Sequence, residues 1–321
     1  MVTAAVLAVI APLLAGPDEA PPAVTSGSVA PFPSAAPTAP SSAAPATTGA
    51  TAARTAARTT AARPKPPAAR PRRPLPGTVQ YFTMPSGDAD GQRREFWVYR
   101  PGVPDSADLP VVYFLHGYPG NERAVAESGI APALERLFAS GVAPFVVVAP
   151  NGQSSTRPDT EWADSADGRV RLERWIVNFL LPAVEGPHRR DRAHRAIAGF
   201  SMGGFGAMNL GLKHPDLFGQ IVSMAGYFRV DDPDGMGGND PQWVAANSPD
   251  RHVAAGAASR ILLIGAAGEN DPLIAGEAQR FRRLAEAAGQ HPTVLTAPGP
   301  HRFDLVLAQL PTVARFLDAG W

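Results

Sequence analysis

Six short runs of apolar residues recur along the second half to three quarters of the chain. They are Val111–Leu115, Phe145–Ala149, Arg195–Gly199, Gln220–Ala225, Arg260–Ile264 and Thr293–Ala297. Val111–Leu115 and Phe145–Ala149 are near-continuous hydrophobic runs that suit parallel strands covered on both faces, Gln220–Ala225 and Arg260–Ile264 read as two more buried strands, and Thr293–Ala297 as the last strand. Helical periodicity separates them. Glu122–Ser140 reads as a helix interrupted near Pro132, and Arg169–Val184 as one with Leu172, Trp175, Ile176, Phe179 and Leu180 on a single face. A helix follows residue 201 to about Lys213, where Pro215 stops it; Glu277–Ala288 is closed by Gly289; Phe303–Leu317 is the last. Val79–Met84 and Arg94–Arg100, joined by the Gly/Asp-rich stretch Pro85–Gly91, predict an antiparallel hairpin at a sheet edge. Strands and helices alternating at this spacing, with right-handed crossovers, predict a three-layer α/β sandwich with a mostly parallel sheet of about eight strands.

Composition divides the chain before this pattern begins. Residues 1–76 hold 15 of the 35 prolines and seven Lys/Arg against two Asp/Glu, whereas residues 77–321 carry 22 against 27. The formal net charge of +0 therefore hides a basic tail and an acidic globular part, and nothing in it predicts a nucleic-acid groove. Residues 1–16 include the apolar run Val2–Leu14, too short for a membrane span of roughly 20 residues but of the length of a signal-peptide core. No Lys or Arg precedes that run and no A-x-A site follows it, as if translation began upstream of Met1. Residues 17–76, rich in Ala, Pro, Ser, Thr and Arg, predict a disordered linker. Its Arg54–Arg73 stretch reads as a solvated basic linker, with contact to an anionic cell-envelope surface as the alternative. A signal-like start, a long linker and residues 77–321 as one catalytic domain together predict a secreted or surface-associated enzyme. The chain has no cysteine, which excludes disulfides and thiolate metal sites.

The candidate chemistry gathers where strands end. Gly199-Phe200-Ser201-Met202-Gly203 fits the G-x-S-x-G nucleophile elbow, with a strand before it and a helix after. A helix N-cap is the rival reading of Ser201. His301 follows the last strand in a Gly/Pro loop, and Glu269 and Asp271 follow the strand Arg260–Ile264. Ligands in an open parallel sheet sit beyond the carboxyl ends of the strands, and the order Ser, acid, His is that of the α/β-hydrolase triad. A serine needs a histidine to take its proton and a carboxylate to orient that histidine. Asp271 is the preferred acid for its spacing from Gly268, with Glu269 as its rival. The backbone N–H of Met202 and that of Tyr118, in the loop His116–Gly120, are the candidate oxyanion donors. His116 is placed as a wall of the site. The remaining histidines, His188, His194, His214, His252 and His291, read as solvated or capping residues. Asp231–Pro241 lacks EF-hand spacing and reads as a mobile polar loop at the cleft mouth.

These residues resemble the esterase D / feruloyl esterase / mycolyltransferase group of α/β-hydrolases over most of residues 77–321. The matching stretches are Tyr81–Ser86, Leu115–Gly117, Trp162–Ser165, Leu181–Glu185, Arg195–Gly204, His214–Phe218, Ser223–Tyr227 and the loop before His301. The resemblance implies the α/β-hydrolase fold and a serine esterase or acyltransferase with neither metal nor organic cofactor. It also places Trp162 and Asp164 near the substrate cleft. Three departures bear on the acceptor. Mycolyltransferases of the group carry Asp-Gly-Leu-Arg where this chain has His116-Gly117-Tyr118-Pro119, and they use Glu as the acid. Their Gly-x-His-x-Trp reads here Gly299-Pro300-His301-Arg302-Phe303.

The expectation is an exported serine carboxylesterase acting on a small-molecule or lipid ester through an acyl-Ser201 intermediate. The alternatives are an acyltransferase serving a cell-envelope sugar or alcohol, a non-catalytic envelope-binding protein on the same fold, and a peptidase.

Overall fold

The computed structural model describes residues 75–88, 91–232, 234–254, 259–268 and 274–321. The leader predicted for residues 1–16 and all but the last two residues of the linker predicted for 17–76 lie outside them, as do Glu269 and Asp271. Among the described residues no helix is long and apolar enough to cross a membrane.

Among the described residues eight strands form one sheet: β1 (Leu75–Pro85), β2 (Arg93–Gly102), β3 (Val111–Leu115), β4 (Val146–Pro150), β5 (Arg195–Phe200), β6 (Gln220–Met224), β7 (Arg260–Ala266) and β8 (Thr293–Ala297). Their spatial order is β1-β2-β4-β3-β5-β6-β7-β8. The β1–β2 hairpin pairs antiparallel, β2 pairs antiparallel with β4, and every pairing from β4 to β8 is parallel. The order changes direction around β3 and β4, and the elbow serine follows β5, the next strand along. This is the region of the carboxyl edge where ligands bind in such sheets.

The central strands are apolar on both faces because each face has its own layer of helices. Val111, Tyr113 and Leu115 of β3 pack into one cluster, with Leu172, Trp175, Met208, Leu210, Phe281 and Ala285. Val112 and Phe114 of the same strand enter the other, with Val125, Ile130, Leu134, Leu305, Val313 and Leu317. Successive side chains of a strand point to opposite faces, so a five-residue run of buried side chains requires helices above and below. One layer comprises α3 (Leu172–Trp175), α4 (Leu181–Glu185), α5 (Met202–Lys213) and α8 (Glu277–Ala287); the other comprises α1 (Glu122–Glu127), α2 (Ile130–Ala139) and α9 (Asp304–Asp318). Two short helices, α6 (Pro241–Ala246) and α7 (Pro249–His252), lie in the β6–β7 connection.

The structure revises two of the expected helices. The break in Glu122–Ser140 falls at Gly129, at φ 88°, and not at Pro132. Pro132 lies in the first turn of α2, where its missing N–H removes no intrahelical bond. Between α3 and α4, Ile176–Leu180 forms a π-helical turn. The longer π repeat shifts the helical phase. Phe179, expected on the apolar face, is consequently 48% exposed, while Ile176 and Leu180 stay buried.

Candidate active site

Ser201 occupies the turn between β5 and α5 at φ 58° and ψ −123°. A non-glycine residue in such a conformation costs of order 1–3 kcal/mol and persists only where its surroundings enforce it. They do so here. Ser201 N–H donates to Met224 O at 2.9 Å, which extends the β5–β6 pairing into the turn. A Cβ on Gly199 would lie 2.0 Å from Gly203 O, and one on Gly203 would lie 2.0 Å from Leu115 O. Only glycine at both positions allows helix α5 to leave the sheet this sharply. The Ser201 side chain makes no capping hydrogen bond to α5, so the N-cap reading fails.

His301 Nε2 instead stands 2.8 Å from Ser201 Oγ. The imidazole packs on the Phe200 ring at a centroid distance of 4.9 Å, and Phe303 braces Phe200 at 6.0 Å. Residues 100 apart in sequence thus meet because β5 is central, while β8 delivers His301 from the sheet edge. Gly268 N–H donates to Gly299 O at 3.2 Å. That bond ties the chain leaving β7 to the loop that carries His301. The two candidate acids, Asp271 and Glu269, belong to the segment that follows and lie outside the described residues.

The loop after β3 closes over the serine. A Cβ on Gly117 would lie 2.9 Å from Ser201 Cβ and 3.0 Å from Phe200 O. Gly120 N–H donates to Gly117 O at 2.7 Å, completing a tight turn through Tyr118 and Pro119. Gln153 Nε2 donates to Pro119 O at 2.8 Å. Tyr118 is 49% exposed, and its N–H has no hydrogen-bond acceptor among the described residues. Met202 is the first residue of α5, so its N–H has no intrahelical acceptor either. Met202 N–H thus lies beside Ser201 at a helix end whose dipole favours negative charge, and Tyr118 follows Gly117, the residue that approaches Ser201.

His116 is buried at 1% exposure, with Gly152 N–H donating to its Nε2 at 2.9 Å. Burial lowers its pKa to about 4 against the opposing hydrogen bond to Gly117 O. Trp162 is fully buried. Its Nε1–H donates to His116 O at 3.1 Å and its ring meets the imidazole edge at 4.9 Å. The indole thus supports the loop from beneath; it does not form a wall of the cleft. Asp164 accepts from Arg174 N–H at 3.1 Å and lies 3.7 Å from the Arg174 guanidinium, which makes it an anchor for α3.

No motif singles out Glu161, which precedes Trp162 in the chain and is bonded to Tyr227. Glu161 is buried, accepts the Tyr227 hydroxyl at 2.6 Å, and has its pKa raised to about 8, first by desolvation and then by Asp159. Tyr227 stacks on Phe205 of α5 at 4.9 Å. Nothing in residue order marks a glutamate for burial. The Asp231–Pro241 segment, expected as a mobile loop, is tied to the same place. Asp159 N–H donates to Asp234 Oδ2 at 2.6 Å, and Asp232 N–H reaches Glu161 Oε1 at 3.4 Å. Among the described residues, no group of three or more His, Asp or Glu is placed to hold a metal ion.

Similarity to known proteins extends over much of residues 77–321. The chain is 33% identical over 178 residues to a protein of Nocardia uniformis subsp. tsuyamanensis described as "Putative esterase NocK", covering 50% of each chain. It is 31% identical over 121 residues to an acetyl esterase of Caldicellulosiruptor saccharolyticus, covering 38% of this chain and 42% of that one. The chain thus spans half or less of the length of these relatives. A solved ferulic acid esterase superposes with a TM-score of 0.66 at 24% identity, covering 77% of this chain and 100% of the other. That likeness establishes the α/β-hydrolase architecture. The Esterase family model, described as "Putative esterase", matches residues 88–291, well over half of the chain, and the chain belongs to that family.

Proposed function

We propose that this chain is a serine carboxylic ester hydrolase that works through an acyl-Ser201 intermediate. The observation that carries the reading is the 2.8 Å approach of His301 Nε2 to Ser201 Oγ at the strained turn into α5. In the first half-reaction His301 takes the Ser201 proton as Oγ attacks the ester carbonyl. The Met202 and Tyr118 N–H groups receive the oxyanion. Collapse of the tetrahedral intermediate expels the alcohol, which takes the proton from His301. Water, activated by the same imidazole, then releases the acid and restores the serine. Asp271 is the proposed orienting carboxylate, with Glu269 as the rival; the Gly268–Gly299 hydrogen bond supports an acid from this segment.

Hydrolysis is favoured over transfer to a sugar by the oxyanion loop. Its residues from Gly117 to Gly120 carry no charged side chain to hold a polyol acceptor. Esterase activity on short p-nitrophenyl esters and stoichiometric labelling by a fluorophosphonate are the expected results for the wild type. Ser201→Ala removes both, and His301→Ala slows both. Asp271→Asn lowers kcat far more than Glu269→Gln; the reverse order would transfer the orienting role to Glu269. An added sugar leaves product partitioning unchanged, whereas acylated sugar would replace hydrolysis with transfer.

A further inference from the structure

The oxyanion loop is held from below by a histidine whose hydrogen bonds leave it one tautomer. Gly152 N–H can only donate, so His116 Nε2 accepts at 2.9 Å and carries no proton. In the neutral ring the proton is then on Nδ1, which lies 3.0 Å from Gly117 O and donates to it. The same carbonyl accepts Gly120 N–H at 2.7 Å. Two donors on one carbonyl oxygen fix the plane of the Gly117–Tyr118 peptide. Because a trans peptide is planar, its N–H points opposite to its C=O. Orienting the Gly117 carbonyl therefore orients the Tyr118 N–H. Gly117 itself is in contact with Ser201, since a Cβ there would come within 2.9 Å of Ser201 Cβ.

We propose that His116 is a positioning residue: by donating from Nδ1 to Gly117 O, it aims the Tyr118 N–H at the oxyanion that forms over Ser201. The inference rests on the acyl-serine reading above. Trp162 completes the support, through its bond to His116 O and its contact with the ring. Burial keeps the imidazole uncharged at neutral pH. A doubly protonated ring would lose the acceptor that Gly152 N–H requires. His116 touches no reacting atom in this scheme; it acts through the peptide plane.

The test separates its two ring nitrogens. The amide nitrogen of Asn occupies about the place of Nδ1, and the terminal amide of Gln about that of Nε2. His116→Asn therefore keeps the donor to Gly117 O, while His116→Gln keeps the partner of Gly152. The expected result is a kcat within about tenfold of wild type for His116→Asn. For His116→Gln the expected loss is about 100-fold, the scale of a lost oxyanion donor, with KM changed less than about twofold. Active-site titration corrects both for misfolded protein. Equal kcat values in the two variants, with only melting temperature altered, would assign His116 a purely structural role and overturn the proposal.

Ring nitrogen NMR of the wild type provides a check that needs no variant. It should find Nδ1 protonated and Nε2 bare, with the Nδ1 proton shifting when a boronic acid adds to Ser201. A proton on Nε2, or no shift, overturns the proposal. Ser201→Ala run alongside distinguishes the two failures. Retained hydrolysis in that variant defeats the acyl-serine reading itself. Lost hydrolysis there, with full kcat in His116→Gln, defeats only the positioning role.

Discussion

Gly117 and Glu161 show how single residues are constrained for different reasons. Gly117 is required by contact: an added methyl would press on Ser201 Cβ and on the Phe200 carbonyl. Gly117→Ala is accordingly expected to displace the loop and lower kcat by about 100- to 1,000-fold, the cost of an oxyanion donor, with little change in melting temperature. Steady-state kinetics with thermal denaturation checks this; an unchanged kcat would show that the loop yields freely. Glu161 is constrained by charge. Its folded pKa, raised to about 8 by desolvation, lies above that of an unfolded glutamate. The folded protein therefore holds a proton that the unfolded chain releases once pH exceeds about 4.5. Its contribution to stability is fully present below that pH and is lost as pH rises through about 8. Glu161→Gln should flatten the fall in melting temperature between pH 5 and 8. An unaltered slope would show that Glu161 is ionised in the folded state. Neither constraint is written in a motif: the Gly117 contact was implied only by Leu115-His116-Gly117, and Glu161 had no sequence signal at all.

At the scale of elements, the amino ends of the strands are tied together as firmly as their carboxyl ends are shaped for chemistry. Arg195 at the start of β5 makes two hydrogen bonds to the Glu185 carboxylate at the end of α4, at 2.7 and 2.8 Å. Tyr113 of β3 donates to the same carboxylate at 3.0 Å, and Arg190 N–H at 2.9 Å. Both charged side chains are buried. Removing one partner strands the other, which costs about 3–5 kcal/mol. Glu185→Ala is thus expected to lower unfolding free energy by about that amount, with kcat per folded site preserved; denaturant titration with active-site titration measures both. A shift under about 1 kcal/mol would mean that the pair is effectively solvated. Element type was legible wherever periodicity was strong, as in all eight strands. It failed where the local rule changed. The π turn at Ile176–Leu180 exposes Phe179, and α6 and α7 were missed although Asp240 and Pro241 form a usable N-cap and first turn.

At the scale of the molecule, two helical layers among the described residues cover a sheet at whose carboxyl edge separate segments meet. The elbow follows β5, the oxyanion loop follows β3, and His301 follows β8. This convergence was legible because each segment combines an apolar run with glycine and one polar residue at its end. The structural roles of Trp162 and Asp164 were not, because a motif records proximity to a site without recording burial. The acyl-serine mechanism requires Ser201 as the nucleophile. The decisive measurement is the intact mass of wild type and Ser201→Ala after a fluorophosphonate is added, with p-nitrophenyl ester hydrolysis followed in parallel. The expected result is one covalent adduct per wild-type chain, on Ser201, and neither adduct nor hydrolysis above background in the variant. An adduct elsewhere, or hydrolysis by Ser201→Ala at the wild-type rate, would contradict it.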